Sequence, residues 1–303
     1  MRELLEEVLD GVRGRVEGEP SGYLDDVAVD VEALALAACG PDGEVVAVGD
    51  ADTGFALQSM SKAFVYALVL QELGLPAVLE RVGVEPSGEA FNELSLEAGG
   101  RPFNPLINAG AITVHGMVPG DDEEDRITVI REGLSALAGR ELGVVDDVYA
   151  AEMRRADRNL SIAHMLASHD ILPDTPHEVV RGYTLQCSLG VSVADLAVMG
   201  ATLAHDGVNP RTGLRVLDAD VVRQTLSVML TCGMYDASGE WVARVGVPAK
   251  SGVSGGVVCA APGRLGLAGY SPRLDEHGHS VRAMLACEQV ADRLGLHLLN
   301  HPG

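Results

Sequence analysis

The stretch "FALQSMSKAF", residues 55–64, places two serines and a lysine where an apolar helical pattern begins. If a helix begins near Ser59, residues three apart lie on one face, so the side chains of Ser59 and Lys62 project together. Ser61 is adjacent to Lys62 in the sequence and is therefore rotated by about 100° from it around the helix. The spacing selects Ser59 as the partner of Lys62.

Lysine is rare in this chain. The two lysines, Lys62 and Lys250, stand among 22 Lys and Arg residues. Arginine stays protonated in proteins, whereas a buried lysine can lose its proton and act as a base for a serine hydroxyl. Lys62 follows a serine at three residues and Lys250 opens the sequence KSG, and each pattern is the skeleton of a known active-serine motif. Two alternatives stay open here: an N-cap serine with a solvent-facing lysine, and two lysines left by chance.

Glycines follow the second lysine closely. The segment "AKSGVSGG", residues 249–256, can approach a ligand through its backbone, whose N–H groups are suited to an oxyanion hole. Tyr235, in "CGMYDASGEW", and Tyr183, in "RGYTLQCSLG", are candidate proton donors. These features favour acyl transfer to a serine over a purely structural role for Ser59 and Lys62.

The composition limits the partners and the compartment. A net charge of −22 and a pI near 4.6 argue against nucleic acid and anionic membranes as partners, since both need clustered Lys and Arg. The first 18 residues predict an amphipathic helix, with Leu4, Leu5, Val8 and Leu9 on one side, rather than a secretory signal. We expect no apolar run long enough to span a membrane. Five cysteines without CxxC spacing indicate buried, reduced thiols, so we expect a cytoplasmic protein.

The order of the patterns predicts an α/β sheet layer with an inserted all-α lobe. Residues 31–50 indicate two strands around the turn at 40–43, and helical patterns then continue to about residue 207. Extended character returns in "GGVVCAAP", "RLGLAGYSP" and "HSVRAMLACEQV", and the last segment has helical spacing again. The acidic tract "GDDEEDR" at 120–126 is interpreted as a solvated loop, because its adjacent carboxylates lack an alternating metal-ligand spacing.

Eight segments then match one family in order along most of the chain. They are "QSMSK" (58–62), "EPSGEAFNE" (85–93), "NPLINAGAI" (104–112), "AEMRRADRNLSIA" (151–163), "YTLQCS" (183–188), "DGVNPRTGLRVL" (206–217), "MLTCGMYDASGEW" (229–241) and "PAKSGVSGG" (248–256). The sequence resembles the bacterial-type glutaminases, serine-dependent amidohydrolases with a β-lactamase/D,D-peptidase-like fold of the α/β (α+β) class.

The resemblance implies an architecture and a reaction. It implies an antiparallel sheet flanked by terminal helices, in a single catalytic domain of residues 1–303. We place the α/β lobe at about 1–58 and 220–303 and the helical lobe at about 59–219. The implied reaction is L-glutamine + water → L-glutamate + ammonia through a glutamyl-serine ester. L-glutamine is the small-molecule partner, without metal or organic cofactor, and a homo-oligomer (a dimer or tetramer) is expected.

The family's site residues carry over position by position. Ser59 matches the nucleophile, Lys62 its general base and Tyr235 the proton relay to the departing ammonia, while the N–H groups of Ser59 and Val253 match the oxyanion hole. The positions that match substrate contacts are Gln58, Asn108, Glu152, Asn159, Tyr183, Tyr235 and, in a less well matched segment, Tyr23. Glu152 corresponds to the carboxylate that receives the α-ammonium group, which is the pairing that a free amino acid requires.

The sequence departs from the family's usual motifs at three places, and two other functions are alternatives to the one that the resemblance implies. The chain has "RPFNP" at 101–105 where the family usually has KPHNP, "GVSGG" where it has GVGGG, and no proline in "YLDDVA". Ser254 in the second segment is expected to affect turnover more than reaction type. The rivals are a β-lactamase or D,D-peptidase, which shares Ser–Lys acylation, and a glutamine sensor on the same fold. The free-ammonium partner Glu152 speaks against the first, and the retained base Lys62 against the second.

Overall fold

The computed structural model describes residues 1–87, 96–97 and 99–300. Of the segment "EPSGEAFNE", residues 88–93 lie outside the described residues. The other seven matched segments lie within them, so the placement of every predicted site residue can be compared with its expectation.

An antiparallel sheet forms the centre of the described part of the chain. Its strands are β1 (Ala35–Cys39), β2 (Val45–Gly49), β5 (Ala249–Ser251), β6 (Gly256–Ala261) and β7 (Leu265–Tyr270). They are ordered β2-β1-β7-β6-β5, and each neighbouring pair is antiparallel. A second, two-stranded sheet pairs β3 (Phe55–Ala56) with β4 (Gly190–Val191). The strands predicted at 31–50, and the two strands predicted in "GGVVCAAP" and "RLGLAGYSP", are confirmed.

Helices cover the sheet and form a second body beside it. They are α1 (Arg2–Arg13), α2 (Ser61–Leu79), α3 (Asn108–Gly116), α4 (Glu123–Ala138), α5 (Asp146–Arg154), α6 (Asp157–Ser168), α7 (Pro176–Cys187), α8 (Val193–Ala204), α9 (Ala219–Cys232), α10 (Ser238–Arg244) and α11 (Val281–Arg293). The terminal helices α1 and α11 pack against each other and against the sheet, as predicted. Leu5, Val8 and Leu9 of α1 are buried and Leu4 is half-buried.

The sheet is buried on both faces. In β1, Ala35, Ala37 and Cys39 belong to the core that the sheet shares with α2 and α8, whereas Leu36 and Ala38 belong to the core under α1 and α11. This alternation follows from the period of two in a strand. Because helices cover both faces, the strand is apolar at every position rather than at every second one.

Helix α8 lies very close to the sheet. A Cβ on Gly266 of β7 would lie 2.1 Å from the backbone nitrogen of Ala201, so the helix and the strand approach at a position that only glycine leaves open. This helix falls within residues 59–219 yet packs on β1, β6 and β7. The division into two lobes at the stated boundaries stays a prediction.

The segment "HSVRAMLACEQV" at 279–290 is helical, so the prediction of extended structure there was wrong. Ser280 caps α11 by accepting a hydrogen bond from the Ala283 N–H group. The buried positions of this helix recur at helical spacing and include Ala283, Ala286, Cys287 and Val290. Small residues at these positions weaken the hydrophobic contrast on which a periodicity reading depends.

The acidic tract at 120–126 is an exposed loop only as far as Asp122 and is the first turn of α4 from Glu123 onward, which corrects the interpretation from the sequence. Asp122 caps α4 by accepting hydrogen bonds from two N–H groups of the first turn. Glu123 and Arg126 on that turn are buried. The carboxylates also favour this position because a helix N-terminus carries partial positive charge.

One helix in the described residues, Gln58–Leu79, is long and apolar enough by length and composition to cross a membrane, contrary to the expectation from the sequence. Half of its most apolar window is buried within the protein, and it packs against α3, α4 and α9. It contains Lys62 and kinks at Gly74, where φ is +73°. A helix surrounded by other elements is apolar on all sides, which gives it the same composition as a membrane span.

Candidate active site

Ser59 lies in a strained turn that leads into α2. The 3₁₀ turn Gln58–Met60 precedes the helix directly, and the Leu57 N–H group donates to the Leu189 carbonyl at 2.8 Å, which joins the turn to β4. Gln58 has φ +48°, a left-handed conformation that is costly for a residue with a side chain. The turn presents Ser59 at the start of the helix, where partial positive charge favours an anion.

Lys62 is buried beside an amide pair. Its side chain is 1% exposed, and Nζ donates to Asn108 Oδ1 at 2.6 Å and to the Leu106 carbonyl at 3.4 Å. Asn108 Nδ2 in turn donates to Asn159 Oδ1 at 3.2 Å. Burial lowers the pKa of Lys62 from its usual value to about 8, because an ammonium ion loses hydration there. The amine is therefore able to exchange its proton near neutral pH.

Tyr235 approaches the serine from the other side. It begins a short 3₁₀ turn with φ +52°, and its side chain hydrogen-bonds with Ser59. The Lys62 Nζ lies 5.8 Å from the centre of the Tyr235 ring and the Lys250 Nζ lies 4.1 Å from it. Burial raises the pKa of Tyr235 to about 12, so its hydroxyl keeps its proton at neutral pH.

The turn between β5 and β6 places Val253 beside the serine turn. Gly252 N–H donates to the Gly256 carbonyl and Gly255 N–H to the Gly252 carbonyl, each at 2.9 Å, and Gly255 has φ +100°. A Cβ on Gly252 would lie 3.1 Å from the Leu57 carbonyl oxygen, so a side chain there would displace the Leu57 backbone by a few tenths of an ångström. The glycines thus let a strand turn pack against the turn that carries Ser59.

Gln58 connects the serine turn to a carboxylate. Its Nε2 donates to Glu152 Oε1 at 3.1 Å, and the Tyr23 side chain hydrogen-bonds with Gln58. Burial raises the pKa of Glu152 above its usual value, and the hydrogen bond from Gln58 opposes that shift. A cationic ligand beside Glu152 would lower this pKa again, because an opposite charge favours the ionised carboxylate.

These side chains surround a cavity of about 120 Å³. Its lining consists of Gln58, Ser59, Asn108, Glu152, Asn159, Tyr183, Thr184, Cys187, Tyr235 and Val253. The structure therefore brings together all the predicted site residues except Lys62 and Tyr23, which contact lining residues. Tyr23 lines an adjacent cavity that also contains Ser254. Ser254 does not line the cavity that contains Ser59, and its expected effect on turnover stays a prediction.

Sequence reasoning missed two lining residues, Thr184 and Cys187. Both lie on α7, and Cys187 follows Tyr183 by four residues, which places the two on one helix face. That spacing was the available signal. Cys187 is buried, and its Sγ lies 3.9 Å from Ser61 Oγ.

The fold and the polar cavity define the class of this protein. An antiparallel sheet covered by terminal helices, with a helical body whose first helix directly follows a turn that carries a serine of the cavity, is the β-lactamase-like fold. The family model for glutaminase matches residues 18–299, and the chain belongs to the glutaminase family.

Known proteins agree with this assignment. The chain is 50% identical over 301 residues to a glutaminase of Corynebacterium glutamicum, covering 98% of this chain and 73% of that protein. It is 50% identical over 302 residues to a glutaminase of Corynebacterium efficiens, covering 98% and 71%. Among solved structures, the native form of Mglu superposes with a TM-score of 0.96 at 46% identity, covering 100% of this chain and 74% of that one. The probable glutaminase ybaS has a TM-score of 0.96 at 38% identity, covering 99% and 98%.

Proposed function

We propose that the protein hydrolyses the side-chain amide of L-glutamine through an ester on Ser59, with Lys62 as general base and Tyr235 as proton relay. The overall reaction, L-glutamine to L-glutamate, follows from membership of the glutaminase family. The residue roles and the covalent intermediate are the proposal, and they rest on the hydrogen bonds and burial of the candidate site.

The first step is acylation of the serine. Neutral lysine has two N–H donors and one lone pair. Both donors of Lys62 are directed at the Asn108 amide oxygen and the Leu106 carbonyl. In the proposed step the remaining lone pair accepts the Ser59 proton, and this requires the amine and the hydroxyl to form a hydrogen bond that does not join them in the described part of the chain. As the proton leaves, Ser59 Oγ forms a bond to the γ-carbonyl carbon, and the oxyanion accepts hydrogen bonds from the N–H groups of Ser59 and Val253.

The second step expels ammonia. The carbon–nitrogen bond breaks as the leaving nitrogen takes a proton from the Tyr235 hydroxyl, which is replenished from the Lys62 ammonium. The raised pKa of Tyr235 keeps this hydroxyl protonated until it is needed. Water then attacks the ester with Lys62 again as base, and release of Ser59 completes the hydrolysis to glutamate.

The amino-acid end of the substrate is held by the carboxylate and amide groups of the cavity. Glu152 pairs with the α-ammonium group, while Asn159 and Tyr183 donate to the α-carboxylate. Gln58 orients Glu152 through the hydrogen bond at 3.1 Å. Tyr23 lines the adjacent cavity, and we propose that it supports the substrate through Gln58.

The single observation that carries the proposal is the burial of Lys62, with both amine donors occupied, one turn after a serine that lines the cavity. The test measures ammonia release from L-glutamine by the protein and by Ser59→Ala, together with mass spectrometry of acid-quenched enzyme. We expect Ser59→Ala to lose turnover and the parent protein to show a glutamyl adduct on Ser59. Turnover by Ser59→Ala at the parent rate contradicts the roles, and nitrocefin cleavage is expected from neither protein.

We further propose a cytoplasmic homo-oligomer. All five cysteines fall within the described residues and are buried free thiols, as predicted, which suits a reducing compartment. Light scattering of the purified protein measures whether it forms a dimer or a tetramer, and a monomer at micromolar concentration contradicts the second part of this proposal.

A further inference from the structure

A line of buried polar side chains runs from the strained turn at Ser59 into the helical body. Ser61 Oγ donates to the Gln58 carbonyl at 2.8 Å, and Gln186 Nε2 donates to Ser61 Oγ at 3.2 Å. Neither Ser61 nor Gln186 lines the candidate cavity, and both are buried. The proposed mechanism leaves them without a role.

His115 on α3 continues this line. Its Nδ1 lies 2.9 Å from Gln186 Oε1 and its Nε2 lies 2.6 Å from Glu123 Oε1. Because the Gln186 amide nitrogen donates to Ser61, its oxygen must accept from Nδ1–H. Nε2 shares a proton with the Glu123 carboxyl group, and every hydrogen bond from His115 Nδ1 to the Gln58 carbonyl has a defined direction.

The local packing leaves room for this arrangement at one glycine. A Cβ on Gly182 of α7 would lie 1.4 Å from Glu123 Oε1 and 2.6 Å from His115 Nε2. The carboxyl group and the imidazole therefore fill a notch in α7 that any side chain at 182 would close. Arg126 lies 3.5 Å from the other Glu123 oxygen and 2.6 Å from Asp174, so charged partners enclose the buried carboxylate.

We propose that His115 is a positioning residue for the nucleophile, acting through Gln186 and Ser61 on the carbonyl group of Gln58. The inference rests on the proposed role of Ser59. A left-handed residue with a side chain persists only where its surroundings hold it there. The bond from Ser61 to the Gln58 carbonyl provides such a constraint, and His115 fixes the amide of Gln186 that orients the Ser61 hydroxyl.

This arrangement predicts an effect on kcat rather than on KM. A looser turn misplaces Ser59 Oγ relative to the γ-carbonyl, and a displacement of about 1 Å can cost on the order of 100-fold in rate. Asn159 and Tyr183 hold the substrate from other elements. His115 also lies edge-to-face with Tyr183 at 6.5 Å, a contact that must be separated from the hydrogen bond to Gln186.

Two substitutions at His115 distinguish its contact with Tyr183 from its hydrogen bond to Gln186. In His115→Asn the amide nitrogen can take the place of Nδ1 and keep the bond to Gln186, whereas in His115→Gln it takes the place of Nε2 and keeps the bond to Glu123. Both variants lose the ring that contacts Tyr183. We expect His115→Gln to lower kcat about tenfold or more with a nearly unchanged KM, and His115→Asn to recover most of that loss.

A double-substitution cycle with Ser61→Ala tests whether the two residues act in series. If His115 acts through Ser61, kcat of the double variant with His115→Gln equals that of Ser61→Ala alone. Thr113→Val on the same helix is the matched control: it removes a buried hydroxyl that donates to the Ala109 carbonyl at 2.9 Å, and kcat should not change. Thermal unfolding of each variant separates loss of folded protein from loss of rate.

Equal kcat values for His115→Asn and His115→Gln, or losses that multiply in the cycle, overturn the inference. These outcomes differ from failure of the proposed function, which Ser59→Ala reports independently. If Ser59→Ala keeps the parent turnover, the proposed roles fail whatever the cycle shows. If Ser59 is required and the cycle is multiplicative, only the positioning role of His115 fails.

Discussion

The two lysines of this chain lie near one aromatic ring and have different surroundings. Lys62 enters from helix α2 and Lys250 from strand β5, and their Nζ atoms lie 5.8 Å and 4.1 Å from the centre of the Tyr235 ring. Both side chains are almost completely buried. The Lys62 amine donates to the side chain of Asn108 in the candidate cavity, whereas the Lys250 amine donates to the backbone carbonyl of Ser251.

These surroundings tune the two amines differently. Burial lowers the pKa of Lys62 to about 8, and it lowers the pKa of Lys250 well below its usual value, with the positive charge of Lys62 as a second cause. One amine therefore exchanges its proton near the working pH, which is what a general base requires. The other amine has a strongly lowered pKa and lies against the Tyr235 ring. A lysine that lies near the candidate active site is therefore not a general base unless its pKa lies near the pH at which the reaction runs.

The largest expected effect comes from Lys62→Met. Removing the base should lower kcat by about 100- to 10,000-fold, the range that general base catalysis supplies. The measurement is ammonia release at saturating L-glutamine. A Met side chain fills a similar volume, so the loss should reflect the missing lone pair rather than a cavity.

Lys62→Arg is the control for that experiment. It keeps a cation in place but cannot give up its proton, so it should be as inactive as Lys62→Met. If either variant retains near-parent turnover, Lys62 is not the base, and the contrast between the two lysines loses its functional meaning.

The second expected effect is a gain in stability from the same substitution. Below about pH 8 both the folded and the unfolded protein hold the Lys62 proton, so the full cost of burying the charge is present. Between about pH 8 and 10.5 the unfolded state binds more protons, and the stability of the parent protein rises with pH. Lys62→Met should therefore unfold with a free energy about 2–3 kcal/mol higher at pH 7, after loss of its hydrogen bond to Asn108.

Urea unfolding at pH 7 and near pH 10 measures this gain, which should shrink at the higher pH. Lys250→Met should gain more than Lys62→Met at pH 7, because the pKa of Lys250 is lowered further. Destabilisation of both variants at pH 7 would mean that the buried amines are stabilised by contacts rather than kept at a cost for function.

The third expected effect is the position of the acidic limb of the pH–rate profile. Since Lys62 acts as a base only when neutral, kcat/KM should fall about tenfold per pH unit below about 8 and level off above it. Burial lowers the pKa of His279 to about 4 and raises the pKa of Tyr235 to about 12, so neither should set this limb.

Lys250→Met tests whether the charge of Lys250 affects the position of this limb. A neutral Lys250 exerts no charge on Lys62, so the limb should stay where it is. A charged Lys250 would repel the proton of Lys62, and removing it would move the limb to higher pH. A limb in the parent protein that is centred near pH 4 to 5 assigns the essential base to a carboxylate and contradicts the role of Lys62.

The sequence predicted the surroundings of Lys62 better than those of Lys250. Ser59 and Lys62 are three residues apart where the 3₁₀ turn meets α2, so local spacing alone predicts that they lie close together. The contact between Lys250 and Tyr235 depends on where β5 lies relative to the turn after α9, and no local pattern encodes that. The resemblance supplied Tyr235, Asn108 and Glu152 because their chemistry recurs in the family.

The errors have a shared physical cause, which is burial that depends on distant partners. Arg282 on α11 is buried because its guanidinium group donates to Ser271 Oγ at 2.8 Å and to the carbonyl groups of Val31 and Ala33. In a sequence, an arginine is normally assigned to a solvent-facing position. The buried Arg282 therefore obscured which face of this helix is buried. Glu123 in the acidic tract was misread in the same way, because its burial against His115 and Gly182 depends on how α3 and α7 pack beside α4.

The smallest expected effect is the loss of rate in Lys250→Met, and it separates a supporting lysine from a reacting one. Methionine keeps the length and the apolar stem that pack beneath the Tyr235 ring, so the substitution mainly removes the hydrogen bond to the Ser251 carbonyl at 2.8 Å. One such bond contributes about 1 kcal/mol, which corresponds to a loss in kcat of about fivefold. Lys250→Ala also removes the packing and should lose more, because the ring is then free to tilt away from Ser59. If Lys250→Met instead loses as much rate as Lys62→Met, the proton must pass through both amines. The pKa difference between the two lysines then does not explain why both lie at the Tyr235 ring.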